Sequence, residues 1–280
     1  MTAIADLSAI INRLSGGNSG APEHLLHFQD ARVGAAAAVT VAGRWSSLWL
    51  YNSQPSAGAI PGAAAIPTRD TTGALKQINP SGGREKWLLG HEVGCSVAGV
   101  LVLYDRLFHI GGLSGTAITP QGVQTAGLPA LTRNTGGIGN EIWIEIYTAI
   151  GTAQTITATY VNEAGTLNRT TPAAAIGGAG LQEAQRMIPL PLAAGDQGVR
   201  SVDSVTLSAS TGTAGNFGVT IARPLLALPV PATGMGYLRD TIAGLPSIPK
   251  IDTDACLALA WLANSTTGPQ IHGLLHFIDN

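Results

Sequence analysis

Charge is scarce in this chain: Asp, Glu, Lys and Arg make up 11% of its 280 residues, where about 25% is usual. Fifteen cations face seventeen acids, for a net charge of −2, and no stretch gathers the cations into a basic stripe. Gripping a phosphate backbone takes several clustered cations, so the composition argues against nucleic acid as a partner. Cysteine is confined to Cys95 and Cys256, set far apart in VGCSVAGV and DACLALAW. Each reads as a small buried hydrophobe, and nothing in the pattern demands an oxidising compartment. Long apolar runs are missing as well. Ala255–Ala263 and Val97–Leu103 are the longest, well short of the ~20 residues that span a bilayer. The opening MTAIADLSAIINRLSGG has neither a basic n-region nor a continuous apolar h-region. The expectation is a protein made in the cytoplasm without an export signal and without a membrane partner.

Catalytic signatures are equally thin. No glycine-rich phosphate loop follows a strand and opens a helix. Gly111-Gly112-Leu113-Ser114-Gly115 lacks the spacing and the strand-to-helix setting of a hydrolase elbow. His24/His27 and His272/His276 have ligand-like spacings, but residues three apart on a strand point to opposite faces. Glu141 and Glu145 would stand about 13 Å apart on a strand at ~3.3 Å per residue, too far for a glycosidase pair, which needs about 5–9.5 Å. The expectation is no catalytic residue, no cofactor and no metal.

Glycine is what the chain has in excess, at 36 residues, alongside a normal 45% of hydrophobic residues. Ample apolar content with little charge is the reverse of a disordered composition. Residues 2–15 read as a short helix, because Ile4, Leu7, Ile11 and Leu14 recur at helical spacing and Gly16-Gly17 ends the run. Residues 34–96 are Ala/Gly/Pro-rich, with one strand expected at Arg44–Tyr51 and a long loop, NSQPSAGAIPGAAAIPTRDTTG, after it. Strands then follow at regular spacing: Val97–Ile110, Glu141–Ile150, Gln154–Val161, Arg186–Leu192, Val202–Ser210 and Asn216–Leu228. Gly151-Thr152-Ala153 and Thr211–Gly215 have the length of hairpin loops. Glu141–Ile150 alternates, placing Ile142, Ile144 and Ile146 on one face and Glu141, Trp143, Glu145 and Tyr147 on the other.

The tail is less decided: ACLALAWLA suits a capped helix or a strand, and a last strand is expected at Ile271–Ile278. The string LLHF occurs at Leu25–Phe28 and again at Leu274–Phe277, compatible with paired edge strands or with two related sub-domains. The fold class that follows is mainly β, an antiparallel β-sandwich of jelly-roll type with a short N-terminal helix and Gly/Pro-rich extended arms. Its segments are 1–33 (helix and arm), 34–96 (β-poor, with the extended loop), 97–230 (central sandwich) and 231–280 (closing arm). The expected subunit interface comprises Ile4, Leu7, Ile11 and Leu14, the narrow stripe of a short helical association, with Trp143 and Tyr147, aromatics of the kind favoured at interfaces. Residues 1–20 and 52–83 are expected to contact other subunits more than their own core.

Three phrases carry a family resemblance: LYDRLFHIGGLSGT (Leu103–Thr116), LPALTRNTGGIGNEIWIEIYTAIG (Leu128–Gly151) and RMIPLPLAAGDQGVRSVDSVTLSASTGTAGNFGVTIARPL (Arg186–Leu225). Together they resemble structural proteins of tailed-bacteriophage virions, of the head-decoration or minor capsid type. The resemblance implies an oligomeric β-sandwich on the virion, without enzymatic activity, whose partners are the major capsid protein and further copies of itself. Two other roles stay open on the residues: a tail, collar or receptor-binding protein using Trp143 and Tyr147 as a sugar platform, and a cellular β-sandwich binding module.

Overall fold

The computed structural model describes residues 22–32, 40–51, 53–54, 56–240 and 248–279, together with Ser8. Apart from Ser8, the helix expected at residues 2–15 lies outside the described residues, and so do Ile4, Leu7, Ile11 and Leu14.

The chain is mainly β. In chain order the first strands are β1 (Pro22–Asp30), β2 (Trp45–Ser47), β3 (Ser53–Gln54), β4 (Lys86–Cys95), β5 (Gly99–Leu113) and β6 (Gln121–Gly122). Then come β7 (Glu141–Thr148), β8 (Gln154–Asn162), β9 (Arg169–Thr170), β10 (Ala174–Ile176), β11 (Arg186–Leu190) and β12 (Val199–Leu207). The last are β13 (Asn216–Val230), β14 (Gly236–Asp240), β15 (Lys250–Ile251), β16 (Leu257–Ala263) and β17 (Gln270–Asp279). The ambiguous ACLALAWLA is therefore a strand.

Six of these strands close into a barrel in the order β11-β2-β16-β5-β13-β7. One flanking sheet runs β14-β4-β17-β1-β3, with β15 beside β4; the other runs β10-β8-β12-β6, with β9 beside β8. Every strand pairing among the described residues is antiparallel. β1, β4, β14, β15 and β17 thus share a sheet across the segment boundaries drawn at 33, 96 and 230.

Period-2 alternation divides the apolar side chains among three cores. Ile142, Ile144 and Ile146 are fully buried, as expected, and pack with Phe217, Val219 and Ile221 against Ile156, Val202 and Val205 of the second flanking sheet. Leu257, Leu259 and Trp261 of β16 pack with Leu101 and Leu103 against Leu275 and Phe277 of the first. Between them, Tyr104, Trp143, Met187, Ala258 and Ala260 form the third cluster. β5 and β13 are 15 residues each, long enough to serve both outer cores. Register shifts in their pairing mark bulges, which bend such strands.

The two short connections expected as hairpins are crossings between sheets. β7 lies in the barrel and β8 in the second flanking sheet, and β12 and β13 are divided the same way. A loop of three to five residues suits a hairpin, but here the connections bond each other and turn the chain onto a new layer. The Gly151 amide donates to Thr211 Oγ1 at 3.1 Å, and the Thr152 amide donates to the Thr211 carbonyl at 2.7 Å. Gly151 is required there, because a Cβ would stand 1.9 Å from the Thr211 oxygen.

The long loop also departs from expectation. Its described part is strapped to its own chain: Ala65 and His109 exchange backbone hydrogen bonds at 3.0 Å, and the Leu75 amide donates to Leu257 at 2.8 Å. Arg133 pins a second loop to the same strap, donating to Asp105 at 2.9 and 3.0 Å and to the Pro67 carbonyl at 2.9 Å. Residues 56–83 therefore include core of this chain, with Ala74, Leu75 and Gln77 buried.

Candidate functional site

Trp143 and Tyr147, expected on a surface, are 7% and 3% exposed. Alternation had put them on the face opposite the isoleucines, and barrel closure turns that face inward. β5 and β7 are separated by β13, so the 2.6 Å contact of Arg106 with Glu145 crosses the barrel interior. Thr220 of β13 donates to the same carboxylate at 2.9 Å, and Tyr147 does so at 3.1 Å. Arg106 also donates to His109 Nδ1 at 3.0 Å and lies 4.7 Å from the Trp49 ring centroid. Burial opposes the charge on Glu145, yet Arg106 holds its carboxyl below the ordinary value. Burial and the guanidinium push His109 down to about 3, so the imidazole stays neutral and accepts. With Arg106 and Glu145 both fully buried, this network is closed off inside the barrel and offers no platform for a sugar.

The exposed chemistry lies elsewhere. Of the six histidines in the sequence, five stand on three adjacent strands of the first flanking sheet: His24 and His27 on β1, His272 and His276 on β17, and His91 on β4. Register sorts them by face. Leu25 pairs with Leu275 and Leu26 with Leu274, so the two LLHF strings lie on paired strands and meet at their leucines. This is the paired-strand reading of the repeat.

On the covered face, His27 and His91 meet over Gly273 with their Nε2 atoms 2.7 Å apart. A Cβ at Gly273 would stand 2.6 Å from the His27 ring, which is why a glycine occupies that place. His27 Nδ1 donates to Gln29 Oε1 at 3.0 Å, so its Nε2 is the acceptor and His91 is the donor. Burial lowers both imidazoles, His27 to about 4 and His91 well below its ordinary value.

On the outward face, His24 and His276 join through their Nδ1 atoms at 2.8 Å, and His276 Nε2 donates to Glu92 at 3.1 Å. Alongside runs an open groove of about 710 Å³ lined by Leu26, Met235, Leu238, Leu274 and His272 over Gly94. Glycines create it. Gly94 pairs with Gly236 on β14 and with His272 on β17, so two neighbouring strands lack a side chain there. Leu26, Met235 and Leu238 are 58%, 58% and 61% exposed. Apolar side chains grouped at such exposure mark an interaction surface. Among the described residues, no three His, Cys, Asp or Glu side chains converge to hold a metal. The groove is thus a surface suited to apolar contact, with imidazoles at its edge. Sequence reasoning missed it because Met235 and Leu238 are distant in the chain from Leu26 and Leu274; the signal within reach was the LLHF repeat.

No family model matches this chain, and no curated protein matches it. Solved structures it is similar to include infectious bursal virus-derived T=1 particles, at 10% identity over 93% of this chain and 79% of that one, with a TM-score of 0.20. The infectious bursal disease virus VP2 subviral particle stands at 8% identity, with 93% and 81% covered and a TM-score of 0.17. The Gx strain of the same virus stands at 10% identity, 93% and 81% covered, and 0.16. At these values the likeness carries no argument about the fold or role of this chain.

Proposed function

We propose that the protein is a non-enzymatic structural component of a tailed-bacteriophage virion, a decoration or minor capsid protein that binds and stabilises the head shell. One observation carries this reading. The three phrases that resemble such virion proteins, spread over Leu103–Leu225, come together on β5, β7, β11 and β13 of the barrel and on β12 packed against them. The resemblance therefore maps to one contiguous body. The open groove supports the same reading, since it offers apolar contact area on a chain with few charges to solvate its surface. Its partners would be the major capsid protein and further copies of itself. The purified protein, mixed with head shells lacking it, should co-sediment with them and raise the temperature at which they release their contents. Failure to bind shells, with binding to isolated tails or to host-surface polysaccharide instead, would replace this role with the tail alternative.

A further inference from the structure

β2, β5 and β7 run in one direction round the barrel, because a single antiparallel strand separates each from the next. They therefore begin at the same end, and that end holds a recess of about 450 Å³ whose lining includes Trp45, Val102, Glu141, Trp143, Leu225 and Arg239. We infer that this recess binds a small zwitterion, its quaternary ammonium seated between Trp45, Trp143 and Glu141 and its anionic group turned toward Arg239. The inference goes beyond the virion role proposed above and does not depend on it.

Three observations point to this ligand. The first is the geometry of the rings. Trp45 and Trp143 stand with centroids 5.6 Å apart and planes at 88°, and perpendicular rings leave a corner bounded by a face of each. A cation near such faces is attracted by their quadrupoles, and quaternary ammonium ions are the ligands that aromatic corners recognise. Trp143 serves here as the wall of a recess, not as an exposed platform. The second is an acid without a counter-ion. Glu141 accepts from Trp143 Nε1 at 2.9 Å, which fixes its carboxylate beside the rings, and among the described residues it forms no ion pair. Burial pushes its carboxyl up, with the Trp143 bond opposing, so an arriving cation would supply the charge that the fold withholds. Asp196 borders a neighbouring recess together with Glu141, but Arg169 already neutralises it at 2.8 Å. The third is Arg239 of β14. It lines the same recess, so a bare cation would meet a like charge there, whereas a zwitterion matches both ends. Apolar walls with a few placed polar groups, at the mouth of a β-barrel, are a common setting for small ligands.

Titration of the full-length protein with glycine betaine tests this, read by nuclear magnetic resonance at the indole N–H groups of the five tryptophans. The Trp143 signal should shift saturably, with a Kd of about 1 mM or tighter, while that of Trp261, buried in an outer core, should stay in place. Choline lacks the anionic group and glycine lacks the methyl groups, so each should bind about tenfold more weakly. Glu141→Gln removes the charge and keeps the shape, and should weaken betaine about tenfold or more. Trp45→Ala should weaken it to a similar degree, and Arg239→Gln should bring betaine down to the affinity of choline. Melting curves of the variants show which of them fold; Glu141→Gln, at a half-buried position, decides the matter if Trp45→Ala does not. The inference is overturned by the absence of a saturable shift, by choline binding as tightly as betaine, or by a folded Glu141→Gln variant that keeps the parent affinity.

Discussion

Arg106 and Glu145 show what the barrel interior demands of single residues. Each is fully buried, and each neutralises the other at 2.6 Å. Removing one partner leaves an uncompensated charge in a low dielectric, a loss of about 3–5 kcal/mol. Glu145→Gln should therefore lower the denaturant midpoint strongly, whereas the paired Arg106→Met, Glu145→Leu variant should recover most of the loss. A single variant as stable as the parent would mean that the network is not closed to water. On the opposite face of β7, Ile144→Asp places an unpaired charge in the outer core and should cost several kcal/mol, read in the same titration. That face was legible, because alternation over EIWIEIYTAI names the isoleucines. The fate of the other face was not, since a period of two separates two faces without saying that a barrel will cover both.

Histidine protonation makes the stability of the fold depend on pH. His27 is lowered to about 4 in the fold and His91 is lowered further in the same direction, against about 6.5 when unfolded. Between those values the unfolded chain binds more protons than the native one, so stability rises with pH across that window. Stability should be complete above about pH 6.5 and should fall steadily toward pH 4. Thermal melts from pH 4 to 7 should show that slope, to which His109, lowered in the same direction, also contributes, and His27→Gln should reduce it. An unchanged slope in the variant would place the acid sensitivity elsewhere.

Elements were legible where strands were long and apolar and illegible where glycine interrupted them. β5, β7, β8, β13 and β17 lie within a few residues of their expected ranges. β4 was missed because Gly90 and Gly94 break KWLLGHEVGC, and glycine in a strand reads as a turn or bulge signal. Its glycines instead face outward, where Gly94 gives room to the His272 ring; a Cβ there would approach that ring to 2.4 Å. Loop length misled in a different way. Gly151-Thr152-Ala153 has hairpin length, but the chain changes sheets there, a choice made by which core each following strand can fill. The steric demand at this crossing is testable. Gly151→Ala drives a Cβ against the Thr211 carbonyl, a backbone atom with little freedom to retreat, and should destabilise by about 1–3 kcal/mol. A melting temperature equal to that of the parent would show that the crossing is loose.

At the scale of the whole molecule, the barrel is the common wall of two outer cores, so neither flanking sheet has an apolar partner without it. This architecture was only partly legible: antiparallel β class followed from strand pattern, while closure depends on contacts among strands far apart in sequence, such as β2 with β16 and β11. The buried interior also removes Trp143 and Tyr147 as surface recognition groups. If this body is, as proposed, a repeated part of a virion shell, its copy number in purified particles is the decisive measurement. Quantitative mass spectrometry against the major capsid protein should find hundreds of copies per particle, as a symmetric shell requires. A few copies per particle, or absence from particles altogether, would contradict it.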